Sequence, residues 1–165
     1  MPAYPFGHGL SYGRFDYTSL RVARNGRVSG HVGGNVGSDV GSNAAGNAAG
    51  NVAGSVGGNV GFNVSFTLTN RGHRTAADTP QLYLAFPAAA GEPPKVLRRF
   101  VHVGPLAAGE TTTVHFEELV PARDMSIWNS STHGWQLVLG EFGVLVGASS
   151  GDIRLRGVAQ IGGLA

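Results

Sequence analysis

Cysteine is absent from the 165 residues, so neither a disulfide framework nor a thiolate metal site organises this chain. Charge is scarce as well: Asp, Glu, Lys and Arg make up 13% of the residues and the net charge is +2. A basic face that follows a phosphate backbone needs more than this, so no nucleic-acid partner is expected, despite a sequence pI of about 9.4. Nowhere do 18 apolar residues run together, which removes a membrane-spanning helix and a membrane partner from the expectations. The charged stretch and apolar run of a signal peptide are also missing from the start. Helical periodicity is nearly absent, and only Ala122 to Asn129 reads as a helical turn.

Glycine, by contrast, is abundant, and its 27 residues concentrate in one tract. From His31 to Asn63 a polar residue returns every fourth position (His31, Asn35, Asp39, Asn43, Asn47, Asn51, Ser55, Asn59, Asn63), followed by Val or Ala and spaced by Gly, Ala or Ser. Four residues are too few for a solenoid coil. Val and Ala alone cannot bury enough area to offset the ordering of the backbone, so residues 29–61 are expected to be a flexible, low-complexity insertion.

Around this tract the pattern is that of short strands. Arg14 to Val22 alternates loosely, and Phe62, Val64, Phe66 and Leu68 alternate strictly with Asn63, Ser65, Thr67 and Thr69. Further strands are expected at Gln81 to Phe86, Val96 to Val103, Thr111 to Leu119, Trp135 to Leu139, Phe142 to Val146 and Ile153 to Leu155, with a hairpin at Gly140. Turn residues every ten positions or so then argue for an all-β, two-layer antiparallel sandwich. Its expected core is Phe62, Phe66, Val114, Phe116, Phe142, Val144 and Val146.

Candidate chemistry is thin. The six histidines lack metal-ligand spacing, so no metal or other cofactor is expected. Glu117 and Glu118 fall on opposite sides of a strand, Glu141 and Asp152 flank glycines at turns, and Ser149 and Ser150 have no nucleophile context. The ten acidic residues are scattered and form no catalytic pair, so no catalytic residue is assigned. Trp128, Trp135, Tyr83 and Tyr12 offer rings for stacking on sugars. For the two tryptophans, core packing is the expectation and substrate binding the alternative. Asn63-Val64-Ser65 and Asn129-Ser130-Ser131 are acceptor triplets for N-glycosylation in a secreted protein. The segment Tyr4 to Tyr12 is apolar and irregular, as if made to lie against another surface.

That segment also carries a resemblance. Pro5-Phe6-Gly7-His8-Gly9-Leu10-Ser11-Tyr12 followed by Phe15 resembles the opening of the C-terminal fibronectin type III-like domain of family 3 glycoside hydrolases, the β-glucosidases and β-xylosidases. Phe66 to Gly72, Gln81-Leu82-Tyr83, Leu97 to Phe100, Arg123 to Trp128 and Gly140 to Ser150 resemble that domain's later motifs in order. The resemblance implies an immunoglobulin or fibronectin type III-like sandwich over 14–157, a linker over 1–13 and a tail over 158–165. It further implies a non-catalytic accessory domain, present as a fragment of a secreted hydrolase that acts on β-glucans or oligosaccharides. Its partners would be the parent's catalytic domains, touched through Phe6, His8, Leu10 and Tyr12. The alternative is a free-standing polysaccharide-binding or surface-interaction module.

Overall fold

The computed structural model describes residues 3–25 and 61–162. The repeat expectation falls largely on residues outside these. The elements are β1 (Phe15–Asn25), β2 (Gly61–Asn70), β3 (Ala76–Asp78), β4 (Gln81–Ala85), β5 (Val96–Phe100), β6 (Val103–Leu106), β7 (Thr111–His115), α1 (Pro121–Asp124), β8 (Ser126–Asn129), β9 (Gly134–Leu137), β10 (Gly140–Ser149) and β11 (Asp152–Ile161). A 3-10 turn spans Ala88–Ala90. No helix among the described residues is long and apolar enough to cross a membrane.

Two antiparallel sheets form the sandwich, one ordered β1-β2-β7 and the other β11-β10-β4-β5. The period of two on β2 turns Val64, Phe66 and Leu68 inward, where they meet Leu82, Leu84, Val144 and Val146 of the opposing sheet. All seven expected core residues are buried there. Each large apolar side chain so placed contributes about 1.5–3 kcal/mol through removal from water. Two smaller ladders, β3-β6 and β8-β9, complete the fold.

Asn70 explains why the turn after β2 is tight. It is fully buried; its Nδ2 donates to the carbonyls of Arg74 and Leu106 at 2.9 Å, and its Oδ1 accepts from the Gly72 amide at 2.9 Å. One side chain thus satisfies the backbone of two neighbouring loops, as a buried amide must.

Four boundary expectations are corrected. Gly140 does not close a hairpin: β9 pairs with β8, and Val138 donates to the Met125 carbonyl on its way to β10. The reason is that Trp135 and Gln136 match β8 in register, leaving Gly140, at φ +124°, to start the next sheet. Val96 to Val103 divides into β5 and β6, which belong to different ladders. Within Ala122 to Asn129 the helix stops at Asp124, and the remainder is the strand β8. Finally, β11 runs to Ile161, so 158–161 is no tail; Ala159 and Ile161 keep the inward alternation that a sequence rich in glycine at its end obscures.

Candidate interdomain surface

The segment before β1 is held by its backbone and not by its large side chains. The Ser150 amide donates to the Phe6 carbonyl at 2.8 Å, the His8 amide to Pro5 at 3.1 Å, and Ser11 Oγ to Ala77 at 3.1 Å. Gly7, at φ +82°, lies so close over Gln81 that a Cβ there would stand 2.2 Å from Nε2. Glycine is required on both counts. Gln81 is itself buried, donating to the Ala148 carbonyl at 2.9 Å and accepting from Tyr83 Oη at 2.5 Å.

The side chains of this pinned segment point away from the core. Phe6 is 66% exposed, Leu10 54% and Tyr12 99%. His8 stacks on Tyr4 with ring centroids 5.0 Å apart, so that pair satisfies itself on the surface. All four residues expected at a domain junction therefore lie on one exposed stretch. Beside them opens a groove of about 300 Å³ lined by His8, Tyr12, Asp78, Ser149, Asp152 and Arg154.

The charged groups of the groove are committed to one another. Tyr17 Oη donates to Asp78 Oδ2 at 2.7 Å, and the Thr79 amide to Oδ1 at 2.9 Å. Burial, and then the Asp78 carboxylate, push the Tyr17 phenol far above its ordinary value. Arg154 donates to Asp152 Oδ2 at 2.7 Å and to the Phe15 carbonyl at 2.7 Å, with its guanidinium 4.7 Å above the Tyr17 ring. Hydrogen bonds from Arg154 hold the Asp152 carboxyl below the usual range. These groups brace the end of the sandwich, with no free base beside a nucleophile. Among the described residues no group of three His, Asp or Glu is placed to hold a metal ion.

Trp128 and Trp135 correct the expectation of core packing. They are cross-strand partners on β8 and β9, 54% and 70% exposed, packed edge to face at 5.7 Å. The two strands pair only with each other, outside the main sheets, so no opposing sheet covers the ring-bearing end of the hairpin. Tyr83, also weighed for stacking, is buried at 3%. Asn63 lies near the Asn25–Gly61 end of the β1-β2 pairing, opposite Ala23, and donates to Asn25 Oδ1 at 2.8 Å. Asn129 ends β8, its Oδ1 accepting from the Ser131 and Thr132 amides.

Sequence reasoning missed the cluster around Asp124. This buried carboxylate receives both terminal nitrogens of Arg99, at 2.7 and 2.9 Å, and the Val120 amide at 2.7 Å. Burial alone would raise its pKa, but bonds from Arg99, Val120 and Arg123 together hold it below the usual carboxylate range. Only the run Arg98-Arg99 in a strand hinted at a buried partner.

The family model described as a fibronectin type III-like domain matches residues 78–150. Over 160 residues the chain is 38% identical to "Probable beta-glucosidase D" of Aspergillus niger, covering 97% of this chain and 19% of the relative. It is 41% identical over 160 residues to "Probable beta-glucosidase L" of Aspergillus terreus, covering 94% and 19%. Among solved structures, β-D-glucoside glucohydrolase from Trichoderma reesei superposes with a TM-score of 0.71 at 32% identity, over 98% of this chain and 20% of that one. The GH3 β-glucosidase of Bifidobacterium adolescentis gives 0.69 at 30% identity, over 96% and 18%. The chain thus spans about a fifth of the length of the relatives it matches.

Proposed function

The chain carries the fibronectin type III-like domain found toward the C-terminal end of family 3 β-glucosidases, and from that premise we propose that it is a non-catalytic accessory domain. Its work is to pack against and stabilise the catalytic portion of a β-glucosidase-like hydrolase in β-glucan and oligosaccharide breakdown. The observation that carries this reading is the pinned but outward-facing segment at Phe6, Leu10 and Tyr12. Large apolar side chains exposed together on one short segment support an interaction site there. An extracellular place of work goes with the same reading, as do the acceptor triplets at Asn63 and Asn129. In this scheme 1–13 serves as the interdomain linker.

The isolated chain is expected to release no p-nitrophenol from p-nitrophenyl β-glucoside. Turnover that survives repurification and substitution of Glu141 and Asp152 would overturn the non-catalytic reading.

A second reading, polysaccharide binding, is favoured by the exposure of Trp128 and Trp135. Their interplanar angle of 75° leaves no common flat platform, so at most one ring at a time can present its face to a sugar. Retention on insoluble cellulose, lost in folded Trp128→Ala and Trp135→Ala variants, supports this reading; equal passage of parent and variants through the matrix removes it.

A further inference from the structure

The two sheets differ in what their outer faces carry. On β1-β2-β7 the alternation sends Thr18, Ser65, Thr67, Thr113 and His115 outward. That is the polar exterior of an antiparallel sheet with one face in solvent. On β11-β10-β4-β5 the same alternation sends out Tyr83, Ala85, Leu97, Leu145 and Val158, an apolar and aromatic middle, with Glu141, Arg156 and Gln160 along its β10-β11 margin. Tyr83 and Leu145 are buried, yet both stand outside the interior cluster, and Val158 is 59% exposed. Phe100, 69% exposed, pairs with Gln81 at the end of this face where Gly7 crosses. The Phe6 carbonyl is anchored to Ser150 just beyond β10. The exposed aromatic segment and the apolar sheet face are therefore continuous.

We propose that the outer face of β11-β10-β4-β5, extended by the Phe6 segment, is the surface that docks on the remaining four fifths of a β-glucosidase chain, and that the β1-β2-β7 face stays in water. This rests on the accessory-domain reading above. The occupant follows from the same comparisons: relatives carry this domain within chains about five times its length. It also follows from the composition of the face, which sets an apolar middle inside a margin that carries Glu141 and Arg156, as the core and polar rim of an interface are arranged. The Trp128–Trp135 hairpin is a separate surface and has no part in the contact.

Because the chain has no cysteine, single thiols report on each face. Val158→Cys and Phe100→Cys probe the proposed interface, and Thr113→Cys and His115→Cys the polar face. Each is placed in the separate chain and in a graft of the chain onto Aspergillus niger β-glucosidase D in place of its matching segment. Labelling by a maleimide is expected to slow about tenfold or more at 158 and 100 in the graft, where water is excluded, and to stay unchanged at 113 and 115. Protection at 113 and 115 instead overturns the choice of face while leaving the accessory reading intact. Protection at none of the four overturns both. Protection at 158 that rises with concentration in the separate chain assigns the face to a second copy and overturns the proposal. Without the graft, binding of an apolar fluorescent dye to the separate chain is expected to fall severalfold in the Val158→Glu, Phe100→Glu variant; unchanged binding would show that this face is not the chain's apolar surface.

Discussion

At the scale of single residues, stability turns on polar groups that the fold has taken out of water. The Asp124 carboxylate is 3% exposed and accepts from Arg99, Val120 and Arg123, while Arg99 also donates to the carbonyls of Arg98 and Glu118. Removing one partner of such a pair strands the other charge, at a cost of about 3–5 kcal/mol. Asp124→Ala should therefore lower the melting temperature by roughly 10 °C or more; a fall under about 3 °C would show that the pair is dispensable. The pH dependence has a definite sign. The folded pKa lies below the unfolded one, so the contribution is complete above about pH 4 and is lost as the pH falls through the folded value. In urea titrations the gap between parent and Asp124→Asn should be widest near neutrality and shrink below about pH 4.

Among the elements, β10 and the β8-β9 hairpin show how far alternation carries and where it stops. Phe142, Val144 and Val146 were legible as core because β10 is covered on its inner face by a full opposing sheet. Trp128 and Trp135 were not, because composition cannot tell an aromatic pair on a projecting hairpin from one inside a sandwich. Nor was the outward row of Tyr83, Leu145 and Val158 visible, since a strand with apolar residues on both faces reads simply as buried. The hairpin yields a clear prediction. Trp128→Ala or Trp135→Ala gives up one edge-to-face contact and little burial, so each should cost only about 0.5–1.5 kcal/mol, far below the 3–5 kcal/mol of a core tryptophan. Denaturant unfolding followed by circular dichroism would check this, and a loss above about 3 kcal/mol would mean that the rings pack more deeply than 54% and 70% exposure allow. In β10 itself, Gly147 sits at a register shift where a Cβ would meet the Asp152 carbonyl at 2.1 Å. Gly147→Ala should cost at least about 1–3 kcal/mol as β11 is forced away; thermal stability equal to the parent would contradict that crowding.

For the whole molecule, the question is whether the sandwich depends on the tetrapeptide tract lodged between its first two strands. Val and Ala set among Gly and Asn cannot repay their own ordering. Asn25 and Gly61 are direct cross-strand partners, the register runs from there to Phe15 opposite Asn70, and Asn25 Nδ2 is held by Glu118 at 2.8 Å. The two ends of the tract are thus brought together by the sandwich itself, through contacts that use only the last residues of the repeat, Gly61 to Asn63, which belong to β2. Closing a loop costs entropy only as the logarithm of its length, so halving the connection changes stability by about 0.6 kcal/mol. Deleting Gly33 to Gly58 leaves several residues to span strand ends that already touch. It should therefore shift the melting temperature by less than about 5 °C, and in the favourable direction if the shorter loop closes without strain. A larger fall would mean that the repeat makes contacts of its own with the sandwich, and that an expansion with no aromatic before Phe62 nevertheless contributes to the fold.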